Sequence, residues 1–290
     1  MDFNMIDLEV LIDRCLSEDI GTGDLTTNSI VSGDAMTTGY IMMKEAGVVA
    51  GLPVAEMVFR RLDPAIVFRA GVTDGQWVVR GALLAEIYGN ARAVLSGERL
   101  ALNFLQRLSG IATKTAQMVE MVTGEKACIV DTRKTTPGLR MLEKYAVRTG
   151  GGRNHRFGLY DAVLIKDNHI KMAGGIGAAV DSARRYIPHT ARIEVEVEDL
   201  AGVREALDAR ADIIMLDNMS PAEMGEAVTL VGGRALVEAS GGVTVENIRA
   251  VAAAGVDLIS VGALTHSAPS LDISLDIGKI KSEPLPGRQV

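Results

Sequence analysis

The chain has 290 residues, of which 48% are hydrophobic and 23% are charged, and its formal net charge is -7. These proportions are those of a globular protein with one large domain or two smaller ones, which excludes a disordered or fibrous chain. A sequence pI near 5.2 and an aromatic content of 4% exclude general nucleic-acid binding, because that function needs a basic surface with stacking side chains.

The sequence has no recognisable secretory signal and no segment able to span a bilayer. Acidic residues occupy the first positions, where a signal would be basic, and the apolar run 47–55 is interrupted by Pro53. Cys15 and Cys128 lack metal-ligand spacing, so we predict buried thiols rather than a disulfide or a zinc site. We therefore expect a cytoplasmic protein.

The first part of the chain is predicted to form an α+β unit. Apolar residues at helical spacing predict a helix over 5–18. Strand-like runs follow at 36–44, 65–70 and 82–88, and Pro53 opens a short helix after the first of them.

A long helical segment begins near Asn90. Its apolar residues recur at spacings of three and four, and Gly110 is predicted to interrupt it. We interpret this segment as the connection between two domains.

Six short apolar runs alternate with helical segments after Gly124. They read ACIVD, AVLIK, IEVEVE, IIMLD, ALVEAS and DLISVG. This alternation predicts a parallel sheet that is closed or nearly closed into an α/β barrel.

The C-terminal ends of these predicted strands carry polar residues and glycines that would converge on one rim of a barrel. They are Asp131, Arg133, Lys166, Glu196, Asp217, Glu238, Ser240 and Gly262. Any one of them could be part of a rim salt bridge, but charged residues at the ends of buried strands are costly. The whole set therefore favours a functional site.

A basic stretch lies inside this acidic chain. Residues 131–171 contain nine Lys and Arg against four Asp and Glu, which gives +5 locally and leaves -12 for the remainder. A positive region of this kind predicts a bound anion. The residues at strand ends or in a glycine-punctuated loop suit a small dicarboxylate, because arginine forks match carboxylates and lysine adds a compact charge. They are Arg133, Lys134, His155, Arg156 and Lys166.

Other basic residues in this stretch have an equally good structural interpretation. Arg140, Lys144 and Arg148 recur at spacing four on a predicted helix, where they would form a solvated face. A lone histidine is more often a satisfied core or loop residue than a functional one. The position of His155 between two polar residues of the basic loop nevertheless favours a function.

Two glycine-rich junctions follow the last predicted strands. One consists of Ser240, Gly241 and Gly242, with a helix predicted from about Thr244, and the other is the segment 262–266. Backbone amides in such loops can hold a phosphate, although ordinary tight turns are the alternative.

Two acidic residues end successive strands. Glu196 and Asp217 could hold Mg²⁺ carried by a pyrophosphate, or stabilise positive charge developing on a sugar ring. Glu194 shares a strand face with Glu196, so the choice between them stays open. The sequence contains neither a Walker A motif nor a GxGxxG after a strand, which disfavours an NTPase or a dehydrogenase.

Several long motifs, in order, resemble the quinolinate phosphoribosyltransferase family. They are SGERLALNFLQRLSGIAT, DTRKTTPGLRMLEKYAVRTGGGRNHRFGLYDAVLIKDNHI, IEVEVE, IMLDNMSP, EASGGV and VGALTHSAPSLDISLDI. The resemblance implies phosphoribosyl transfer from phosphoribosyl pyrophosphate to quinolinate with loss of CO₂, which gives nicotinate mononucleotide for NAD synthesis. It also implies an α+β domain over 1–108, joined by segment 268–290, and an open α/β barrel over 109–267.

The resemblance further implies roles for individual residues. Quinolinate binding is implied for Arg133, Lys134, His155, Arg156 and Lys166, and for Arg99, which matches an arginine lent by a neighbouring subunit. Catalytic roles are implied for Lys166, Glu196 and Asp217, the two acids also lying near the ribose and Mg²⁺. Phosphate binding is implied for Ser240, Gly241, Gly262 and His266. The implied cofactor is Mg²⁺, and the implied assembly is a homodimer or a hexamer of dimers.

The residues themselves leave two other functions open. A sugar-phosphate aldolase or isomerase barrel would use Lys166 to form a Schiff base at its strand end. A non-catalytic relative would keep the cationic pocket only to bind an anion, although it would not need the complete set of site residues. A transferase acting on nicotinate is disfavoured because so many cations would face a monoanion.

Overall fold

The computed structural model describes residues 3–278, and the chain divides into two compact units. The first unit comprises Met1–Gly110 and Pro269–Val290, and the second comprises Ile111–Ala268. The boundaries between the two units follow residues 110 and 268, whereas the sequence predicts boundaries after residues 108 and 267. Residues 279–290 of the predicted segment 268–290 lie outside the described residues.

Residues 3–278 contain eleven helices and twelve strands, joined by loops. In chain order they are α1 (Met5–Ile20), α2 (Leu25–Ile30), β1 (Met36–Met43), β2 (Gly47–Val48), α3 (Leu52–Leu62), β3 (Val67–Ala70), β4 (Trp77–Val78), β5 (Leu83–Asn90), α4 (Ala91–Met121), β6 (Cys128–Val130), α5 (Arg140–Thr149), β7 (Val163–Ile165), α6 (Asp167–Ala173), α7 (Ile176–Tyr186), β8 (Ile193–Val197), α8 (Leu200–Asp208), β9 (Ile213–Asp217), α9 (Pro221–Val231), β10 (Leu236–Ser240), α10 (Ile248–Ala253), β11 (Leu258–Ser260), α11 (Ala263–His266) and β12 (Ile273–Ile277).

The first unit is built on a four-stranded antiparallel sheet in the order β12-β1-β5-β3. Strand β1 buries Ile41 and Met43 on one face, as a half-buried antiparallel strand does. Helix α1 buries Leu8, Ile12 and Leu16, which recur at spacing four. This arrangement confirms the predicted α+β unit.

The second unit contains a six-stranded parallel sheet in the order β6-β11-β10-β9-β8-β7. Its strands are buried along their length, as Ile214, Met215 and Leu216 of β9 illustrate, because helices cover such sheets. Strands β6 and β7 end the sheet, and one isolated parallel bridge joins Val130 to Arg153 beyond β6. The predicted open α/β barrel is confirmed. The sequence placed the start of α10 too early, since the turn after β10 extends to Asn247.

The predicted interruption of the long helix at Gly110 is wrong, because α4 runs unbroken from Ala91 to Met121. The glycine serves close packing instead. A Cβ atom at this position would lie 1.9 Å from the carbonyl oxygen of Pro269. Glycine therefore lets the returning chain of the first unit approach the helix backbone.

None of the helices within residues 3–278 has both the length and the hydropathy required to cross a membrane. The parallel strands of the second unit direct their carboxyl ends to one edge, where the predicted site residues follow.

Candidate active site

The carboxyl ends of the barrel strands surround a cavity of about 610 Å³. Ten residues that the sequence singled out line it: Arg133, Lys134, His155, Arg156, Lys166, Glu196, Asp217, Ser240, Gly241 and Gly242. Sequence reasoning missed five others: Thr132, Leu164, Met215, Asn218 and Ser260. All of these residues belong to the second unit, so the cavity combines cations, two acids and a glycine turn.

A buried ion pair lies behind the cationic side of this cavity. The Lys144 ammonium contacts the Asp131 carboxylate, and their side chains are 1% and 0% exposed. Lys144 also donates to the carbonyl oxygen of His155 at 3.0 Å. The predicted solvated face is therefore wrong for Lys144, because α5 turns this residue into the barrel.

The same carboxylate holds the loop that follows α5. Asp131 accepts from the backbone N–H of His155 at 2.9 Å and from the Asn154 side chain at 2.5 Å. Asn154 also donates to the carbonyl oxygen of Lys144 at 2.9 Å. Asp131 and Lys144 therefore fix the backbone from which His155 and Arg156 project.

Burial is the largest influence on both members of this pair. It raises the pKa of Asp131 and lowers the pKa of Lys144, in each case against the attraction of the partner. The pair therefore gains its stability from close contact and hydrogen bonds rather than from favourable surroundings, and loss of either partner would leave a buried charge.

Two arginines lining the cavity retain unused hydrogen-bond donors. The Nε atoms of Arg133 and Arg156 are buried and have no hydrogen-bond partner within residues 3–278. Arg156 Nη1 donates to the carbonyl oxygen of Ala162 at 3.2 Å. Burial and the neighbouring Arg133 charge lower the pKa of Arg156. Both side chains also line the cavity, where planar guanidinium groups suit a ligand with several acceptor oxygens.

The acidic side of the cavity is formed by neighbouring strands. Lys166 follows β7, and its ammonium pairs with the Glu196 carboxylate on β8. Asp217 ends β9 and accepts from Asn218 Nδ2 at 3.0 Å. Asn218 adopts a left-handed conformation with φ of 54°. The direct succession of Asp217 and Asn218 after an apolar strand was the available signal for including this residue.

The glycine turn after β10 lies against Asn218. A Cβ atom at Gly241 would be 2.3 Å from Asn218 Oδ1, and the φ of Gly241 is 82°. Only glycine fits both constraints, so the turn brings its backbone close to Asp217 and its neighbour.

Gly262 lies close to Lys134 and His266, and neither Gly262 nor His266 is among the residues that line the cavity. A Cβ atom at Gly262 would lie 3.0 Å from Lys134 Cδ and 3.2 Å from His266 Nε2. Thr265 Oγ1 donates to the Lys134 carbonyl at 2.7 Å. The phosphate-binding roles of Gly262 and His266 stay predictions. Arg99 is an exposed residue of α4 in the first unit.

His155 and two further titratable side chains, Glu194 and Glu238, form the floor of the cavity. His155 Nε2 lies 3.0 Å from Glu194 Oε2 and 3.6 Å from Glu238 Oε1. The two glutamates are 3% and 1% exposed. Because Glu194 precedes Glu196 by two residues on the same strand face, it lies about 7 Å deeper in the barrel. The structure places Glu196 in the cavity lining and Glu194 beneath it, and the role of Glu196 towards the ribose and Mg²⁺ stays a prediction.

Burial and opposing charges act together on this floor. Burial lowers the pKa of His155, but the two carboxylates outweigh that effect, so the pKa is raised. Burial and the neighbouring Glu194 raise the pKa of Glu238 to about 7. A carboxyl group in this range exchanges its proton near neutrality.

A second basic cavity, of about 620 Å³, lies at the opposite ends of the strands. Its arginines interact with the helix ends there: Arg184 donates to the Arg210 carbonyl at 2.6 Å, and Arg234 to the Leu230 carbonyl at 2.7 Å. Helix C-termini carry partial negative charge, so these arginines stabilise helix ends. This cavity is therefore a weaker candidate for an anion site.

Models of one protein family match nearly the whole chain. "Quinolinate phosphoribosyl transferase, N-terminal domain" matches residues 24–109, and the corresponding C-terminal domain matches residues 111–276.

Curated relatives and solved structures agree with these matches. A Bacillus subtilis protein named "Probable nicotinate-nucleotide pyrophosphorylase [carboxylating]" is 48% identical over 94% of this chain and 94% of its own length. A chloroplastic nicotinate-nucleotide pyrophosphorylase of Arabidopsis thaliana is 44% identical over 93% of this chain and 83% of its own. The solved structure of NadC from Streptococcus pyogenes has a TM-score of 0.92 and 44% identity, covering 96% of this chain and 100% of that one.

Replacing Lys144 with methionine should lower the free energy of unfolding by about 3–5 kcal/mol, because Asp131 would remain as an unpaired buried charge. Urea denaturation followed by circular dichroism measures this loss. The matched control is Lys171→Met, which removes an exposed pair with Asp167 and should change stability by less than about 1 kcal/mol. Equal losses in the two variants would contradict the structural role given to Lys144.

Proposed function

The chain belongs to the quinolinate phosphoribosyltransferase family, and we propose that its barrel cavity joins quinolinate to the phosphoribosyl group of phosphoribosyl pyrophosphate. The reaction releases pyrophosphate and CO₂ and gives nicotinate mononucleotide, a precursor of NAD. The observation that carries this proposal is the cavity in which Arg133, Lys134 and Arg156 line one side and Glu196 and Asp217 the other.

Charge explains why quinolinate suits this cavity. Quinolinate is a pyridine with two adjacent carboxylates, and both are ionised at neutral pH. Arg133 and Arg156 supply forked donors for the carboxylate oxygens, and Lys134 adds a compact positive charge. A dianion therefore satisfies donors that a neutral ring would leave without partners.

The turn after β10 is the proposed site of the phosphate of the sugar donor. Ser240 and Gly241 line the cavity, and the backbone N–H groups of such a turn can bind phosphate oxygens. Gly262 lies beside Lys134 and His266, and phosphate binding by Gly262 and His266 stays a prediction.

The acids at the ends of β8 and β9 act on the sugar. Departure of pyrophosphate leaves positive charge on the ribose ring, and the carboxylates of Glu196 and Asp217 stabilise that charge. Lys166 holds Glu196 through its ion pair, which fixes the carboxylate before substrate arrives. The ring nitrogen of quinolinate then attacks the anomeric carbon.

Mg²⁺ fits this side of the cavity because carboxylate and phosphate oxygens are its preferred ligands. Asp217 and Glu196 would hold it together with the pyrophosphate. Asp217 is the freer of the two, since its side chain accepts from Asn218 whereas Glu196 pairs with Lys166. The ion would supply positive charge that offsets the charge of the leaving group.

Decarboxylation follows from the charge on the glycosylated ring. The bond from ring carbon 2 to its carboxylate breaks, CO₂ leaves, and the electron pair stays on the ring carbon beside the positive nitrogen. That carbon then takes a proton. Lys166 and Arg133 orient the departing carboxylate, so this step needs little from the protein beyond positioning.

The alternative functions are less well supported. A Schiff-base lysine lies in an apolar or cationic environment, whereas Lys166 pairs with Glu196. A solved human nicotinic acid phosphoribosyltransferase has a TM-score of 0.60 and 12% identity with this chain, which shows a shared fold alone. The retention of Glu196, Asp217 and Lys166 around one cavity also disfavours a relative that only binds an anion.

The assembly and location stay predictions. A homodimer, or a hexamer built from dimers, would let Arg99 of one subunit complete the quinolinate site of another. Two plant relatives are named chloroplastic or mitochondrial.

The function is tested by supplying phosphoribosyl pyrophosphate and Mg²⁺ with either quinolinate or nicotinate. We expect CO₂ release and nicotinate mononucleotide from quinolinate only, because the cavity has more cationic donors than a monoanion can satisfy. Product is measured by chromatography and CO₂ by isotope release. Turnover of nicotinate at a comparable rate would contradict the proposed substrate.

Replacing Arg133 with alanine should raise the quinolinate dissociation constant by roughly tenfold or more, because one charge-assisted contact is worth about 1.5–3 kcal/mol. Calorimetric titration measures the constant. Arg153→Ala, which changes an exposed arginine outside the lining of the main cavity, is the control and should bind as the wild type does. Unchanged affinity in a folded Arg133→Ala variant would remove this residue from the site.

The role of Arg99 is tested by mixing two inactive variants, Arg99→Ala and Lys166→Ala. If each site takes Arg99 from a partner subunit, half of the dimers are mixed and each has one intact site. Activity should then recover to about a quarter of the wild-type value. No recovery after verified subunit exchange would indicate that each subunit holds a self-contained site.

A further inference from the structure

The floor of the cavity presents an electrostatic problem. Glu194 and Glu238 are buried acids directly beneath a pocket that must accept a dianion. One oxygen of each carboxylate, Oε1 in both cases, has no hydrogen-bond partner within residues 3–278. Two neighbouring carboxylates in such surroundings cannot both carry a charge without a large cost. A proton on one of the carboxyl groups, or a bound cation, would remove much of that cost.

A metal ion is one candidate, since His155, Glu194 and Glu238 place their ligand atoms within 4.8 Å of one another. The histidine argues against it. His155 Nδ1 accepts from the backbone N–H of Arg156 at 2.7 Å, so the hydrogen of the neutral ring lies on Nε2. Nε2 faces Glu194 and donates that hydrogen to it, which leaves no lone pair for a metal.

A proton is the better candidate, and Glu238 is the residue that can hold it. Its pKa of about 7 lets it gain or lose a proton near neutrality, because burial and Glu194 outweigh the hydrogen bond from Ser260, which favours the charged form. A cavity of about 380 Å³ on the other side of the floor is lined by both glutamates. Water can therefore exchange protons with Glu238 without passing through the substrate pocket.

The charges around Glu238 decide when the proton is taken up. Glu194 and the more distant Asp131 oppose ionisation of Glu238, and His155 favours it. Lys144 neutralises Asp131, and Arg133 and Arg156 lie on the pocket side of the floor. Without substrate, Arg133 and Arg156 are the positive charges on the pocket side, while Arg153 and Arg192 line the cavity on the other side together with both glutamates. A bound dianion neutralises Arg133 and Arg156 and adds negative charge above the floor.

We propose that Glu238 takes up a proton when a dicarboxylate enters the pocket, so that substrate binding and proton binding are coupled. This inference rests on the proposed function, because it assumes that a dianion occupies the cationic side of the cavity. Glu238 acts as a positioning residue that touches His155 rather than the substrate. Its uptake of a proton removes a buried negative charge from beneath the bound carboxylates.

The sign of the pH dependence follows from this coupling. Well below pH 7 Glu238 is already protonated, so binding takes up no proton and affinity does not vary with pH on its account. Above pH 7 the free protein has lost the proton and must regain it on binding. Quinolinate affinity should therefore fall by up to about tenfold per pH unit, until the pH passes the pKa of Glu238 in the complex.

The experiment is calorimetric titration of the full chain with quinolinate at pH 8, in buffers with different enthalpies of ionisation. The dependence of the observed heat on the buffer gives the number of protons taken up. We expect about one proton per quinolinate bound in the wild type. Glu238→Gln should bind quinolinate with no proton uptake and with an affinity nearly independent of pH between 7 and 9, because glutamine resembles the protonated side chain.

Two variants serve as controls. Glu125→Gln changes an exposed carboxylate in the turn before β6 and should take up the same number of protons as the wild type. Glu238→Leu keeps the side-chain size but removes the polar group. A purely structural role would weaken binding equally in Glu238→Gln and Glu238→Leu and would leave the pH dependence of the remaining affinity unchanged.

Each contrary outcome has a distinct meaning. Quinolinate binding without proton uptake in the wild type overturns this inference and leaves the proposed function intact. Uptake that persists in Glu238→Gln assigns the proton to His155 and also overturns it. Saturable binding of Mn²⁺ alone to the wild type, lost in Glu238→Gln, would show a metal at the floor instead. Absence of quinolinate binding to the folded wild type would contradict the proposed function itself.

Discussion

The buried ion pair between Asp131 and Lys144 is the interaction on which the substrate pocket depends. Lys144 donates to the backbone carbonyl of His155, and Asp131 accepts from the backbone N–H of His155. The ion pair therefore holds both backbone polar groups of this residue. The next residue is Arg156, whose side chain lines the cavity. A loop carrying cations would otherwise move apart under their repulsion, and a buried anchor with several hydrogen bonds resists that motion.

The cavity must also be stable when no substrate is present. Clustered arginines and lysines repel one another in a partly buried site, and the acids Glu194, Glu196 and Glu238 lie near enough to offset that repulsion. These acids differ in depth, and depth separates their roles. Glu196 lies in the cavity lining and pairs with Lys166, whereas Glu194 and Glu238 lie in the interior beneath it. The positive charges that line the substrate pocket are thus balanced in part by acids in the core of the barrel.

The sequence predicted the barrel and most of the cavity lining, because strand ends are marked by an abrupt change from apolar to polar residues. It failed where one residue type serves two structural purposes. Gly110 was taken as a helix break although it permits close approach of the backbone near Pro269, and no local pattern distinguishes the two uses. Lys144 recurs with other basic residues at helical spacing, so its burial follows only from the packing of α5 against Asp131. The partnership of Glu238 with His155 joins a strand to a distant loop, and spacing along the chain carries no information about it.

The path of the chain through the first unit imposes an order on its assembly. Strand β12 pairs with β1 from Ile273 opposite Met43 to Ile277 opposite Gly39, although more than two hundred residues separate them along the chain. During synthesis the barrel segment between them is complete before this pairing partner exists. Until then β1 presents an open edge, and open edges are where strands from other molecules add. In a newly made chain, this edge of β1 therefore stays unpaired until the whole barrel has been synthesised. Pairing with β12 then covers the edge.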